Sequence, residues 1–252
     1  MGAGGPILEI ASVDPTLGPV FYSLPQEPSA TPRFSREGST CLVCHDSSSI
    51  TGGVPGLIVR SVFTDKYDYS MSAVHEGPTT DRTPLHARWG GWYVTGTVGD
   101  ESHMGNVMAP VPAHDVGNVQ QYLARGSIKP AGSITSLADR FDTEPYLNAH
   151  SDVVALMVLT HQAHVHNLIT IAGYETRNAL HEEGSAEGTV RRVKAAAEPL
   201  MRALLFIREA PFTGPVAGTS AFAKELAARG PAMPHRVRCA SWICSGVCSG
   251  IR

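Results

Sequence analysis

From Val153 to Leu180, apolar side chains return with the period of an α-helix, and no other feature of the chain constrains its fold as tightly. Val154, Met157, Val158, His161, Val165, Leu168 and Ala172 share that spacing, and Ser151 or Asp152 stands where an N-cap belongs. Residues 153–159 are apolar on every side, so the helix is expected to begin buried in a core. His181-Glu182-Glu183-Gly184 then turns the chain. A second helical run, 187–209, contains Val190, Val193, Ala197, Leu200, Leu204 and Ile207. Pro199 is expected to kink it and Pro211 to end it. Two long antiparallel helices are therefore expected in the C-terminal half, with a short one over Asn118–Arg125.

The N-terminal part obeys different rules. Pro6, Pro15, Pro19, Pro25, Pro28 and Pro32 prevent any long helix in residues 1–40, which read as an extended arm. Residues 46–115 are rich in glycine and β-formers. Leu57-Ile58-Val59 and Trp92-Tyr93-Val94-Thr95 are strand candidates, bounded by Gly52-Gly53 and Gly90-Gly91 on one side and Gly96 or Gly99 on the other. The fold expected is mainly α, with long irregular loops and a small β-hairpin region. Its parts are the arm at 1–40, a ligand-binding region at 41–150, the helical part of the same domain at 151–230, and an irregular tail at 231–252. That tail, holding Cys239, Cys244 and Cys248, has neither helical nor strand period. It reads either as a shifted or prematurely ended reading frame or as an ordinary disordered tail.

Composition narrows the function classes. With 252 residues, 42% of them hydrophobic, and a mean hydropathy of -0.05, the chain has the material for a core. Net charge is -3 and no Lys/Arg block stands out, which argues against nucleic acid or an anionic membrane as partner. No stretch is apolar enough to suggest a transmembrane helix. The five cysteines fall as a pair, Cys41 and Cys44, and a trio in the tail, which is not a disulfide framework.

The pair belongs to the motif Cys41-Leu42-Val43-Cys44-His45, the Cys-x-x-Cys-His pattern of c-type haem attachment. Two thiols separated by two residues match the two vinyl groups on one edge of the macrocycle, and the adjacent histidine then falls beneath the iron. On these five residues the chain resembles the c-type cytochromes. The resemblance implies one haem c, with Cys41 and Cys44 as thioether attachment points and His45 as proximal iron ligand. The surroundings depart from a small class I cytochrome c: no amphipathic helix precedes Cys41, and the chain is much longer. More loosely, Arg88-Trp89-Gly90-Gly91-Trp92-Tyr93-Val94-Thr95-Gly96 and the histidine-rich helix look similar to uncharacterised bacterial haem-c proteins.

Other chemistry can use the same pair. A structural zinc site wants a second pair of ligands, for which Cys244 and Cys248 are the candidates. A thioredoxin-like redox pair wants a strand before it and a helix after it; here Arg36-Glu37-Gly38-Ser39-Thr40 precedes and Asp46-Ser47-Ser48-Ser49 follows. His45 completes the haem motif and places that reading first.

Distal-ligand candidates are His103 and Met104 in Ser-His-Met-Gly-Asn, then Met71 and His75, then Met108. For any single methionine, filling core space is the competing role. On the long helix, His161 and His164 are neighbours on one face whereas His166 points elsewhere. They read as a metal pair needing a third ligand, as pocket lining, or as one buried and two surface histidines. Trp89, Trp92 and Tyr93 read as porphyrin packing or as a hairpin core. Asp139-Arg140-Phe141-Asp142-Thr143-Glu144 reads as a solvated loop.

The expected function is electron transfer by one covalently bound haem, with a redox partner protein or a small-molecule donor or acceptor, in a periplasmic or other extracytoplasmic bacterial setting. A rival is a haem enzyme with an open distal site and peroxidase-like or small-oxyanion chemistry, using His161 or His164 as acid–base group. A third reading is a zinc-stabilised binding module. Residues 1–10 lack the basic start and apolar run of a secretory signal, whereas haem c attachment in bacteria takes place outside the cytoplasm. The expectation is therefore a truncated or misassigned start.

Overall fold

Asp14 closes the first structural element. Its Oδ1 accepts the backbone N–H groups of Thr16 and Leu17, both at 2.8 Å, and these two bonds hold its carboxyl below the usual range. The turn joins β1 (Ile7–Asp14) to β2 (Gly18–Pro25). β3 (Ser35–Glu37) adds to the other edge of β2, giving an antiparallel sheet of order β1-β2-β3. Three strands between Ile7 and Glu37 thus form a sheet where an extended arm was expected. Its prolines do exclude a helix, but Pro6, Pro15 and Pro25 sit at strand ends, where no ladder donor is lost. Gly18 has φ +77, and a Cβ there would collide with the Thr170 side chain.

The computed structural model describes residues 5–64, 71–107, 119–128 and 132–229. Beyond the sheet these contain α1 (Ser39–His45), the antiparallel pair β4 (Val62–Thr64) and β5 (Met71–Ala73), α2 (Val119–Ala124), α3 (Val153–Glu182), α4 (Ala186–Leu204) and α5 (Ala221–Arg229). The architecture is mixed and modestly α-rich. No helix among the described residues is long and apolar enough to cross a membrane.

Both long helices stand where periodicity puts them. Asp152 is the N-cap of α3, its Oδ1 accepting from Val154 N at 2.8 Å. Ser185 caps α4, its hydroxyl accepting from Gly188 N. Arg192 binds Glu175 and Glu182, each at 3.1 Å, so the first turns of α4 double back on the last turns of α3. Pro199 is accommodated within α4, which stops at Leu204 rather than running on to Pro211. Phe206 is left-handed at φ +53. The bonds Phe206 N to Ala203 O and Ile207 N to Arg202 O complete a Schellman stop with phenylalanine in the place glycine usually takes.

The chain divides into two compact units. One comprises residues up to Ile58 together with Gln162–Ile207; the other comprises Val59–His161 with the residues from Arg208 onward. The first holds the sheet, α1, most of α3 and α4. The second has a small core of Phe63, Val74, Met104 and Ile128. Beside this core Arg88 is buried, donating from Nε to Thr83 O at 2.7 Å and from Nη2 to Asp81 O at 2.9 Å. Burial pulls its pKa down to about 10, against the opposing charges of Asp81, Glu209 and Glu101.

Neither strand candidate is a strand. Leu57–Val59 and Trp92–Thr95 carry β-forming side chains, but no strand among the described residues pairs with them; Thr95 alone makes isolated bridges, to Ile134 and Asp152. At Val94 and at Leu57 an asparagine amide takes the place of that neighbour. Asn106 accepts from Val94 N at 2.8 Å and donates to Val94 O at 2.7 Å, and Asn167 treats Leu57 in the same way.

Within the second unit, the Asp152 carboxylate does more than cap α3. Its Oδ2 accepts from Thr219 N at 2.7 Å and from Ser220 N at 2.8 Å, tying the segment before α5 to the start of α3. Asp152 is 4% exposed, so its loss strands buried donors. Asp152→Ala is expected to cost about 3 kcal/mol of stability, and Asp152→Asn, which keeps one acceptor oxygen, roughly half of that. Urea unfolding midpoints at unchanged m-value measure both.

Candidate functional site

β3 leads through Gly38 directly into α1, so the edge of the sheet sets where the motif begins. Leu42 N donates to Gly38 O and Asp46 N to Leu42 O, which frames the single stretch of helix between them. The i,i+3 spacing places Cys41 and Cys44 as neighbours on one side of α1. Both are free thiols, Cys41 half-buried and Cys44 exposed. Burial, then the charges of Glu37 and Glu9, push the Cys41 thiol above its ordinary range.

His45 is held from two sides. Its ring packs against Phe21 of β2, centroids 4.4 Å apart. Its Nδ1 lies 2.8 Å from the carbonyl oxygen of Gly56. A carbonyl can only accept, so in the neutral ring Nδ1 carries the proton and Nε2 keeps the lone pair. Gly56 N in turn donates to His45 O at 2.7 Å, and the two bonds fasten the loop 46–58 to the end of α1.

That loop is specified residue by residue. Thr51 is 2% exposed, and its hydroxyl donates to Ser47 O at 3.0 Å. A Cβ on Gly56 would come within 2.7 Å of the Thr51 Cβ and Cγ2, so only glycine brings its backbone this close. Leu57 N donates to Asn167 Oδ1 at 2.7 Å, and Asn167 Nδ2 donates to Leu57 O at 2.8 Å.

The donor set fits a covalently attached haem: two unpaired thiols at the required spacing and an imidazole whose Nδ1 is already committed. For zinc, among the described residues no group of three or more His, Cys, Asp or Glu is placed to hold a metal ion. Cys244 and Cys248 lie outside the described residues.

The distal candidates belong to the second unit, apart from Met108, which lies outside the described residues. Met104 is 5% exposed and packs in the cluster with Phe63, Val74 and Ile128. His103 is buried edge-on against Trp89, at 5.5 Å and 75°. Its Nδ1 accepts from Gly105 N, and burial lowers its pKa. His75 places Nδ1 3.0 Å from Glu76 O and Nε2 3.1 Å from Thr79 Oγ1. Met71 lies in β5 opposite Thr64.

His161 sets Nδ1 3.8 Å from the buried carboxylate of Asp81, in the second unit. His164 and His166 are half-buried on the portion of α3 that belongs to the first unit. Of the aromatic run, Trp89 is buried, Trp92 Nε1 donates to Arg60 O at 2.8 Å, and Tyr93 packs against Phe141. These three form no hairpin core. Asp142 Oδ1 accepts from Glu144 N in an exposed loop, as expected of the acidic cluster.

Phe21, Gly56 and Asn167 are the site residues that spacing rules miss. For Gly56 there is a signal, the turn sequence Val54-Pro55-Gly56 soon after the motif. Phe21 and Asn167 come from distant parts of the chain and have none. No family model, no curated protein and no solved structure matches this chain.

Cys44 is exposed, whereas Cys41 is half-buried with its thiol pushed above the ordinary range, so the two should differ in rate. In the haem-free chain at pH 8, Cys44 is expected to be alkylated by iodoacetamide several times faster than Cys41, because burial and Glu37 deplete the Cys41 thiolate. Peptide mass spectrometry on a quenched time course reads the two rates separately.

Proposed function

We propose that this chain binds one haem c covalently through Cys41 and Cys44, with His45 as proximal iron ligand, and serves in electron transfer. The bond between His45 Nδ1 and Gly56 O carries the reading. It leaves Nε2 as the lone-pair nitrogen, which is the state a ligating histidine needs, and the arrangement stands next to two unpaired thiols. The haem would supply a one-electron change between Fe(II) and Fe(III).

The protein's own residues do the rest. Cys41 and Cys44 anchor one edge of the macrocycle, and His45 Nε2 ligates the iron. The Gly56 carbonyl orients the imidazole and strengthens it as a donor, and Phe21 restrains the ring from β2. In this reading the chain is a mainly α haem protein with α3 and α4 as an antiparallel pair. The working protein is extracytoplasmic, where haem c is attached, and exchanges electrons with a partner protein or a small donor or acceptor.

A second reading is a haem enzyme with an open distal position, where peroxidase-like or small-oxyanion chemistry would take place.

Expression with the c-haem maturation machinery decides the main point. The chain is expected to keep about one haem after acid extraction, giving a c-type pyridine haemochrome, and the Cys41→Ala/Cys44→Ala double variant to keep none. Absence of acid-stable haem in the unaltered chain would end the reading. In the loaded protein, a sulfur-to-iron charge-transfer band marks methionine ligation and a carrier, whereas high-spin bands that shift with cyanide mark the enzyme.

A further inference from the structure

The loop that meets His45 ends in a peptide group with two different partners. The carbonyl of Gly56 accepts from His45 Nδ1, and the N–H on the other side of the same peptide bond, that of Leu57, donates to Asn167 Oδ1 at 2.7 Å. A peptide unit is planar, with its C=O and N–H pointing in opposite directions. Fixing the N–H therefore fixes the line of the C=O. The second bond, Asn167 Nδ2 to Leu57 O at 2.8 Å, permits only one orientation of the carboxamide, because Leu57 N–H can only donate and Leu57 O only accept. Among the described residues no strand neighbours Leu57, and this amide holds its backbone.

Hydrogen bonds in series polarise one another: a peptide whose N–H is bonded has a carbonyl that accepts more strongly. We propose that Asn167 is a positioning residue for His45, acting through the Gly56–Leu57 peptide to keep the ring as the Nδ1–H tautomer and to set the donor strength of Nε2. The tautomer part concerns the chain alone. The effect on iron rests on the haem reading above.

Asn167→Leu removes both bonds with little change in bulk. Tyr174→Phe is the control: its hydroxyl reaches Leu17 O from further along α3, and its loss loosens α3 from the hairpin without touching the Gly56–Leu57 peptide. Nitrogen-15 imidazole spectra of the haem-free chain are expected to show His45 as Nδ1–H in the unaltered and Tyr174→Phe chains. In Asn167→Leu they should show a shift toward Nε2–H, with amide exchange at Leu57 at least tenfold faster. In the loaded protein, Asn167→Leu should raise the midpoint potential and lower the iron–histidine stretching frequency, because a weaker donor favours Fe(II); Tyr174→Phe should change neither.

If Asn167→Leu fails to fold, Asn167→Ala removes the same bonds without added bulk and gives the same readouts. An unchanged tautomer in a folded Asn167 variant overturns the proposal, as does an equal shift in Tyr174→Phe. If the unaltered chain keeps no covalent haem, the haem reading falls, while the tautomer spectra still decide the role of Asn167.

Discussion

The first unit converges on the peptide group between Gly56 and Leu57. Its carbonyl takes the His45 ring, its amide takes a side chain from α3, and its α-carbon lies against Thr51 too closely for any residue but glycine. Remove it and three elements lose their common point: the end of α1, the loop 46–58 and the middle of α3. The sheet adds support from the other side through Phe21, which is why the proline-rich N-terminal segment bears on the motif at all.

The same device recurs in the second unit with different residues. Asn106 pairs both backbone groups of Val94, and the Asp152 carboxylate satisfies amides at the start of α3 and before α5. In each case one short polar side chain supplies what a neighbouring strand or a longer loop would otherwise provide. Such links are economical in residues but leave little redundancy, since one substitution unpairs at least two backbone groups at once.

Much of the helical frame was legible because its signals are local. The period of α3, a cap at Ser151 or Asp152 and the turn around Gly184 need only a window of neighbouring residues, and α2 falls within Asn118–Arg125. What failed was non-local. Leu57–Val59 and Trp92–Thr95 have strand-forming side chains, but a strand needs a partner, and at Leu57 and Val94 the partner is an asparagine elsewhere in the chain. The β1–β2 hairpin was missed because prolines that exclude a helix leave an extended chain, and nothing local says that it pairs with itself. At the site, Cys41, Cys44 and His45 are contiguous and visible; Phe21 and Asn167, on whose packing and hydrogen bonds they rely, are visible only once the chain is folded.

The clamp between Asn167 and Leu57 spans 110 positions of sequence. The unit that holds the motif is built from both sides of the other unit's residues. A growing chain thus exposes Cys41 and Cys44 long before α3 exists to close the loop behind them. During that interval His45 lacks the brace that Asn167 gives its carbonyl partner. The order of synthesis thus presents both thiols first on an unfinished scaffold, which the arrival of α3 completes.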